Sequence, residues 1–512
     1  MVEEGKMEIS GRHSCRPSKI RVCDREESFD RLSELPDELL LHILSYLYVD
    51  DAISTSLLSR RWRNLWKWMD SLDFPMQCGK SKRNSIQFIE RALGLHEGLK
   101  IKRFCARFRY NSNYISRVDS WVSFAVARNV EKLVLDLFCA ENGVQPYVIP
   151  GILYKCRSLR ELEVNFCRFV PPFSFCLSSL KKLVINNTVF VGEMLKILIS
   201  GCPVLEELVL VNCNQARDLD VVVLNRNLKR MKIVEFPDEV EEGTEVKINA
   251  PYLLHLELQS GDPRPYIIQD ASSIVSACLD IRRIVTCLSL NTYNQKNSMK
   301  ILENIMVGLH EVKTLKLSSW CVQAMLAYED IHTCLPTTLQ QLRHLKLDVQ
   351  LSKDELPGIA CLLRNSPEIE SLTIQLCRHT HMDKDIMEPM ENGNTNLSNW
   401  CEGSLWDCHQ APFYSLKYNL KKVVVGNFKG EENELRFLAF LLRNSLALKK
   451  LVILVQPLSF TGSGEAYVEY CRKVGRASKK YLENIRKLMG SPRSPHTEIL
   501  FCGSQHTCCS SS

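Results

Sequence analysis

Residues able to ligate a metal crowd the segment Cys377-Arg-His379-Thr-His381-Met-Asp383, and Cys401, Cys408 and His409 follow it. In an extended chain alternate side chains share a face, so a thiolate, two imidazoles and a carboxylate would stand on one side. Structural zinc sites usually present paired ligands as C-x-x-C, and no such pair occurs in the 512 residues. The segment therefore reads as a cysteine followed by a polar loop, and no metal or cofactor is expected. Cys78-Gly-Lys-Ser ends like a phosphate loop, but Phe74 stands where the first glycine of that loop is required. His96-Glu97 is followed by Lys100 rather than the second histidine of a zinc-protease helix, and no G-x-S-x-G elbow occurs. Cys509 has the position of a prenylated cysteine but lacks the aliphatic residues that should follow it. Nothing joins a nucleophile, a base and an oxyanion donor, so the chain reads as a non-enzyme.

Binding is left as the function, and composition bounds the elements that could carry it. A length of 512 residues suggests about three domains, or fewer plus a repeat array. Hydrophobic residues make up 45% and charged residues 24%, enough to bury a core over most of the chain. The longest apolar stretch, from Glu38 to Val49, is interrupted by His42 and Ser45 and is too short to cross a bilayer. The mixed charge of the first residues does not fit a secretory leader, so an intracellular chain, in cytoplasm or nucleus, with its 22 cysteines as free thiols is expected. Lys80-Ser-Lys82-Arg83 is too short a basic cluster to choose between those compartments. The net charge of +6 is unevenly spread: residues 76–110 carry nine Lys/Arg against Glu90 and Glu97. Interleaved with Phe88, Phe104, Phe108 and Tyr110, this stretch reads as alternating solvated and buried faces rather than a nucleic-acid surface.

Two textures lie between polar ends. Residues 1–27 and 491–512 are expected to be disordered tails. In Leu35-Pro-Asp-Glu-Leu-Leu-Leu-His-Ile-Leu-Ser-Tyr-Leu, Pro36 suits a first helical turn, and Asp37 and Glu38 complement the positive end of the dipole. Leu39, Leu40, Ile43, Leu44 and Leu47 recur at helical spacing, and a second helix is predicted from Asp50 through Trp68. So small a bundle cannot cover all its large apolar groups, which favours docking against another protein.

The longer texture is a repeat. The frame L-x-x-L-x-L, with Ile, Val or Met allowed, starts at Val130, Leu159, Leu180, Leu205, Leu228, Leu253, Val312, Leu342, Ile369, Leu420 and Leu448. The spacing is mostly near the 20 to 29 residue period of leucine-rich repeats. The two wide gaps before Val312 and Leu420 would each fit one degenerate copy. The last two apolar positions of each frame should point inward from a short strand, with parallel strands stacked and polar residues lining a concave face. Glu161, Glu163, Lys181, Lys182, Glu206, Glu207, Lys229 and Lys232 are expected on that face, and their alternating signs imply no single-sign ligand. Cys167, Cys213 and Cys377 fall three residues after the final apolar position, and Cys156 and Cys202 three before the first leucine, which supports the register.

The first texture, from Asp30 through Leu35-Pro36, Ile43-Leu-Ser-Tyr-Leu47 and Leu58-Ser-Arg-Arg-Trp62 to Leu72-Asp-Phe-Pro, resembles the F-box of plant proteins. The remainder resembles the plant F-box/LRR/FBD class, through Ser200-Gly-Cys-Pro-Val-Leu-Glu-Glu-Leu and through the FBD-like stretch from Leu420 to Ile453. The implied fold is α/β: a three-helix F-box (28–75), then a leucine-rich-repeat solenoid (76–409) with parallel strands on the concave face and helices on the convex face. An FBD-like region (410–490) closes it. The stretch from Leu279 to Asn304 lacks a clean frame, and Gly393 to Cys408 looks like an insertion.

That resemblance implies a substrate-recognition subunit of a Skp-cullin-F-box ubiquitin ligase. The F-box would dock a Skp-type adaptor, through it a cullin and a RING protein, and the repeats would select an as yet unknown protein substrate. Leu35, Pro36, Ile43, Leu44, Leu47, Leu58 and Trp62 are the positions expected to face the adaptor or support that face, with rim contacts from Arg60, Arg61 and Arg63. The competing readings are a repeat scaffold without a ligase role and a small-molecule co-receptor. No nucleic acid, membrane or cofactor enters any of them.

Overall fold

A computed structural model describes residues 32, 34–76, 82–139, 143–213, 218–236, 244–261, 264–282, 295–325, 338–377, 413–455, 479–481, 483–484 and 497–503. Residues 1–27, the insertion from Gly393 to Cys408 and the metal-type cluster beyond Cys377 lie outside this set.

One parallel sheet of fifteen strands organises the chain. In sheet order they are β1 (Ser71–Phe74), β2 (Arg103–Arg109), β3 (Lys132–Phe138), β5 (Glu161–Asn165), β7 (Lys182–Asn186), β8 (Glu207–Val211), β10 (Arg230–Glu235) and β12 (His255–Ser260). They continue as β14 (Ser276–Ile281), β15 (Thr314–Ser318), β16 (His344–Val349), β17 (Ser371–Leu376), β18 (Lys422–Phe428), β19 (Lys450–Val455) and β20 (Glu498–Gly503). All eleven predicted frames are strands of this sheet. The frame residues meet in register, Leu133 beside Leu162, Leu162 beside Leu183, Leu183 beside Leu208, and all are buried. Each buried leucine contributes roughly 1.5–3 kcal/mol, but only while a neighbouring repeat covers it.

Four strands lie outside the eleven frames. In β1 and β2 the frames are Met69-x-x-Leu72-x-Phe74 and Ile101-x-x-Phe104-x-Ala106, and all six residues are buried. The gap before Val312 does hold a degenerate copy: β14, with Ile274, Ala277 and Leu279 inward. At the gap before Leu420 no further strand enters the large sheet, because β17 pairs directly with β18, Ser371 opposite Lys422. The 491–512 segment is not wholly a tail either, since β20 pairs with β19 along its length.

The convex layer departs from an all-helical expectation. Helices α3 (Lys82–Leu95), α4 (Ile115–Ala127), α5 (Met194–Ser200), α6 (Gln295–Gly308), α7 (Ser319–Ala324) and α8 (Leu356–Asn365) cover parts of it. In the middle repeats three short strands, β9 (Leu219–Val222), β11 (Val246–Asn249) and β13 (Tyr266–Gln269), form a second parallel sheet instead. Their short, alternating sequences are rich in Val and Ile, which are stiff at χ1 and suit a pleated surface. A third small sheet pairs β4 (Tyr147–Val148) with β6 (Cys167–Arg168).

Between the two larger sheets lies a buried ion pair. Arg264 and Glu235, both under 5% exposed, are hydrogen-bonded through both carboxylate oxygens, with Nε to Oε2 at 3.0 Å. Tyr266 Oη donates to the same Oε2 at 2.6 Å. Three donors on one carboxylate offset the cost of taking it out of water.

The N-terminal module comprises α1 (Asp37–Leu44) and α2 (Val49–Ser54), with 3-10 turns over Thr55–Leu57 and Trp62–Trp68 in place of one long second helix. Ser54 Oγ donates to the Asp50 carbonyl at 2.8 Å and Thr55 Oγ1 to that of Ala52 at 2.7 Å, and Ser56 Oγ closes the loop on the Arg63 carbonyl. Such side-chain bonds compete with helix continuation. The module is not a separate bead. Its last residues are β1, and Phe74 packs on Phe104 (ring centroids 5.9 Å apart) and edge-on to Phe88.

His96 locks the same junction. Its Nε2 donates to the Met69 carbonyl at 2.8 Å, its ring meets Phe124 edge-on, and a Cβ at Gly98 would stand 2.7 Å from it. Nδ1 is buried with no hydrogen-bond partner. Burial lowers the His96 pKa, against the raising effect of the Met69 bond, because a proton on Nδ1 would create a donor with no acceptor. The unfolded chain therefore takes up that proton first, and stability falls as pH drops below the ordinary value of about 6.5.

Two outcomes are expected in melting experiments. The drop in melting midpoint between about pH 7.5 and 5.5 should be smaller in His96→Gln than in the wild type, and equal drops would remove His96 from the junction's energetics. Arg264→Met should destabilise the chain by about 3–5 kcal/mol by stranding Glu235. Tyr266→Phe should cost a smaller amount, about 1–3 kcal/mol, by chemical denaturation.

Candidate functional site: an apolar knob and a charged concave face

Five of the eight residues of helix α1 are apolar, in two neighbouring stripes that compete for the core. Leu40 and Leu44, four residues apart, are fully buried, while Leu39 (49% exposed) and Ile43 (39%) share the adjoining stripe. Tyr46, 77% exposed, continues that side and hydrogen-bonds His42. On the following loop Leu57 and Leu58 are 90% and 67% exposed. Asp37 accepts from Arg61 at 2.7 Å, which ties the loop carrying Leu58 to the end of α1 that carries Pro36. With Leu32, Tyr48 and Trp68, eight large exposed apolar side chains fall within this short module. An apolar density of this kind marks an interaction surface.

The sequence-predicted adaptor positions divide accordingly. Pro36, Ile43 and Leu58 are exposed, and Leu35 and Leu47 are half-buried against the core. Leu44 and Trp62 (4% exposed) point into the core and cannot touch a partner, so their part is limited to support. Leu39, Tyr46 and Leu57 stand at the surface and were not singled out. Periodicity marks two stripes on such a helix and does not say which is inside. Arg60, Arg61 and Arg63 are exposed, as a rim requires.

The second surface is the concave face. Glu161, Glu163, Lys182, Glu207 and Lys232 occupy the outward positions of their strands, as expected. Lys181, Glu206 and Lys229 stand one residue before their strands and form a rim instead. Both rows neutralise themselves for the most part, Glu163 and Lys229 being the named charges without an oppositely charged partner among the described residues. On the rim Lys100 pairs with Glu131 at 2.7 Å and Lys181 with Glu206 at 2.7 Å. On the face Lys132 pairs with Glu161, Lys182 with Glu207 and Lys232 with Glu257, all at 2.5–2.7 Å. Partial burial raises the Glu207 carboxyl, and the contacts from Lys182 and Arg230 outweigh it, leaving the pKa below its ordinary value. Asp73 joins Arg103 at 2.7 Å and Arg107 beside the N-terminal module. An open cleft of about 330 Å³ along the rim is lined by Lys100, Glu131 and Arg160, whose charges already answer one another.

Among the described residues no group of three or more His, Cys, Asp or Glu could hold a metal. Burial pushes the thiols of Cys202, Cys213 and Cys321 up to about 12, which suits packing and not nucleophilic attack. Cys156, Cys167, Cys202 and Cys213 are buried as the register requires, whereas Cys377 is exposed. Cys361 departs from the free-thiol expectation, being disulfide-bonded. No described helix is long and apolar enough to cross a membrane.

Comparison with known proteins separates the same two parts. Residues 32–74 match the F-box domain, and residues 92–453 match the family described as At1g61320/AtMIF1, LRR domain. Two F-box/FBD/LRR-repeat proteins of Arabidopsis thaliana are 28% and 27% identical, over 83% and 85% of this chain and 89% and 91% of their own lengths. The F-box/LRR-repeat protein 13 of the same plant is 27% identical over 86% of this chain and 92% of its own length. With the module and the solenoid each matched where the structure places it, the chain belongs to the plant F-box/LRR-repeat family.

Proposed function

We propose that the chain is the substrate-recognition subunit of a Skp-cullin-F-box ubiquitin ligase. Its F-box docks a Skp-type adaptor, which links it to a cullin and a RING protein inside the cell. The concave face of the repeats binds the protein to be ubiquitinated. The observation that carries this reading is the division of α1 into a buried Leu40/Leu44 stripe and an exposed Leu39/Ile43/Tyr46 stripe, on a module built into the first strand of the solenoid.

The polypeptide makes and breaks no bonds in this role. It holds a substrate lysine near a charged ubiquitin-conjugating enzyme, which turns an encounter of separate molecules into a quasi-intramolecular one. That gain requires a short, stiff connection between the two binding surfaces. Met69, Leu72 and Phe74, buried in the sheet's first repeat, supply it.

Ile43→Asp and Leu58→Asp should each weaken adaptor binding about thirtyfold or more, as loss of an interface anchor does, while leaving the melting midpoint near wild type because both side chains are exposed. Leu44→Asp should instead unfold the module. Titration of purified chain with the adaptor by calorimetry reads the first two, and retained wild-type affinity in the Ile43→Asp/Leu58→Asp double variant would remove the F-box reading.

A further inference from the structure

The two ends of the concave face differ in charge. Along β3 to β12 Lys132, Lys181, Lys182 and Lys232 are each matched by a cross-strand carboxylate, while Glu163 and Lys229 stand without an oppositely charged partner among the described residues. Along β15 to β19, Lys316 is held by Asp348 and Lys421 by Glu370, but Lys313, Lys346, Lys422, Lys449 and Lys450 have no acidic partner within ion-pair distance among the described residues. Glu498 on β20 stands beside Lys450 in register without pairing to it. The outward positions two residues further along the same strands are Val424, Val452 and Leu500, with Leu454 beyond, and all four are half-buried rather than covered. Gly426 keeps the face low there, since a Cβ would meet the Gln375 side chain lying across it.

We propose that this end of the concave face, β16 to β20, docks an extended peptide segment in which acidic and apolar residues alternate. The proposal rests on the receptor reading above and names the substrate chemistry for it. Successive side chains of an extended peptide point to opposite sides. A peptide running across the strands therefore turns one set of side chains toward Lys422 and Lys450 and the other toward Val424, Val452 and Leu500, with Lys346 at the β16 end of that apolar row. Five strands at about 4.8 Å spacing span roughly 19 Å, the reach of about six extended residues. Uncompensated lysines gain a partner there, and the half-buried apolar row loses water contact. A nucleic acid would use the lysines, but among the described outward residues of β16 to β20 His344 alone offers a ring for its bases to stack on.

The test uses the full chain co-purified with its adaptor and a fluorescein-labelled octapeptide of alternating Glu and Leu, read by anisotropy. Binding is expected at low salt, with at least tenfold loss in Lys346→Glu/Lys422→Glu/Lys450→Glu. Affinity should be unchanged in Lys181→Glu/Lys182→Glu, and a Lys-Leu octapeptide should not bind. If the charge-reversed triple variant fails to fold, the Lys→Gln triple variant serves, with a smaller loss in the same direction. Equal binding of the Lys-Leu peptide, an unaffected triple variant, or tighter binding of an oligothymidine than of the peptide would each overturn the proposal. Adaptor co-elution with no peptide binding sinks only this patch, whereas peptide binding without adaptor co-elution sinks only the receptor reading.

Discussion

The molecule depends on a single constraint: an inward row of apolar side chains that no repeat can bury alone. Leu72, Phe104, Leu133 and Leu162 begin that row and Val423, Leu451 and Ile499 end it, each covered by the residue in register on the next strand. Nearest-neighbour burial of this kind makes stability a sum of contacts along one axis. It also makes the ends vulnerable, because a terminal strand has one neighbour instead of two. At the N-terminal end the F-box resolves this by becoming part of the array. Its final Leu72-Asp-Phe74 is the first strand, and the rest of the module covers that strand's outer side. At the other end β20 is thinner, its Ile499 and Phe501 only half-buried.

The same in-register stacking dictates the electrostatics. Equivalent positions on parallel strands lie about 4.8 Å apart, so like charges in one row would repel along the whole sheet. The first half of the solenoid avoids this by alternation, Lys132 with Glu161 and Lys182 with Glu207, and the partly exposed pairs add little stability individually. Their importance is negative: they leave the face nearly neutral. Where the alternation lapses, between β16 and β19, Lys346, Lys422, Lys449 and Lys450 stand without an acidic partner among the described residues.

Much of this was legible in the sequence because burial on a strand has a period of two and each frame repeats it. All eleven frames are strands, and the alternating charges lie on the face or its rim. The strands that escaped are those whose frames use other shapes: Phe104 and Ala106 in β2, Ala277 in β14. Spacing alone misled once, since the long interval before Leu420 puts no strand between β17 and β18 in the large sheet, the two pairing directly. The convex strands escaped because short Val- and Ile-rich segments there had no frame of their own. In the F-box the limit is different. A helix carrying Leu39, Leu40, Leu41, Ile43 and Leu44 offers two apolar stripes, and only packing against Trp62 and Leu65 selects Leu40 and Leu44 as the inner one. Which leucines remain for a partner is thus a tertiary fact.

That selection links the two surfaces. The residues that turn Leu40 and Leu44 inward, Trp62 and Leu65, belong to the same turn that runs into Met69 and β1, and His96 fastens the Met69 carbonyl from the other side. Orientation of the exposed stripe is consequently fixed relative to the sheet and not left to a linker. A flexible tether would spread the effective concentration of a bound substrate over a large volume, whereas a fused first strand confines it to one direction. The cost is that any strain at the junction is felt by both surfaces, since the F-box cannot swing without breaking the first strand pair. An unprotonated His96, held in one tautomer by Met69, is part of that rigidity, which makes the geometry between the knob and the concave face a property of the core rather than of the loops.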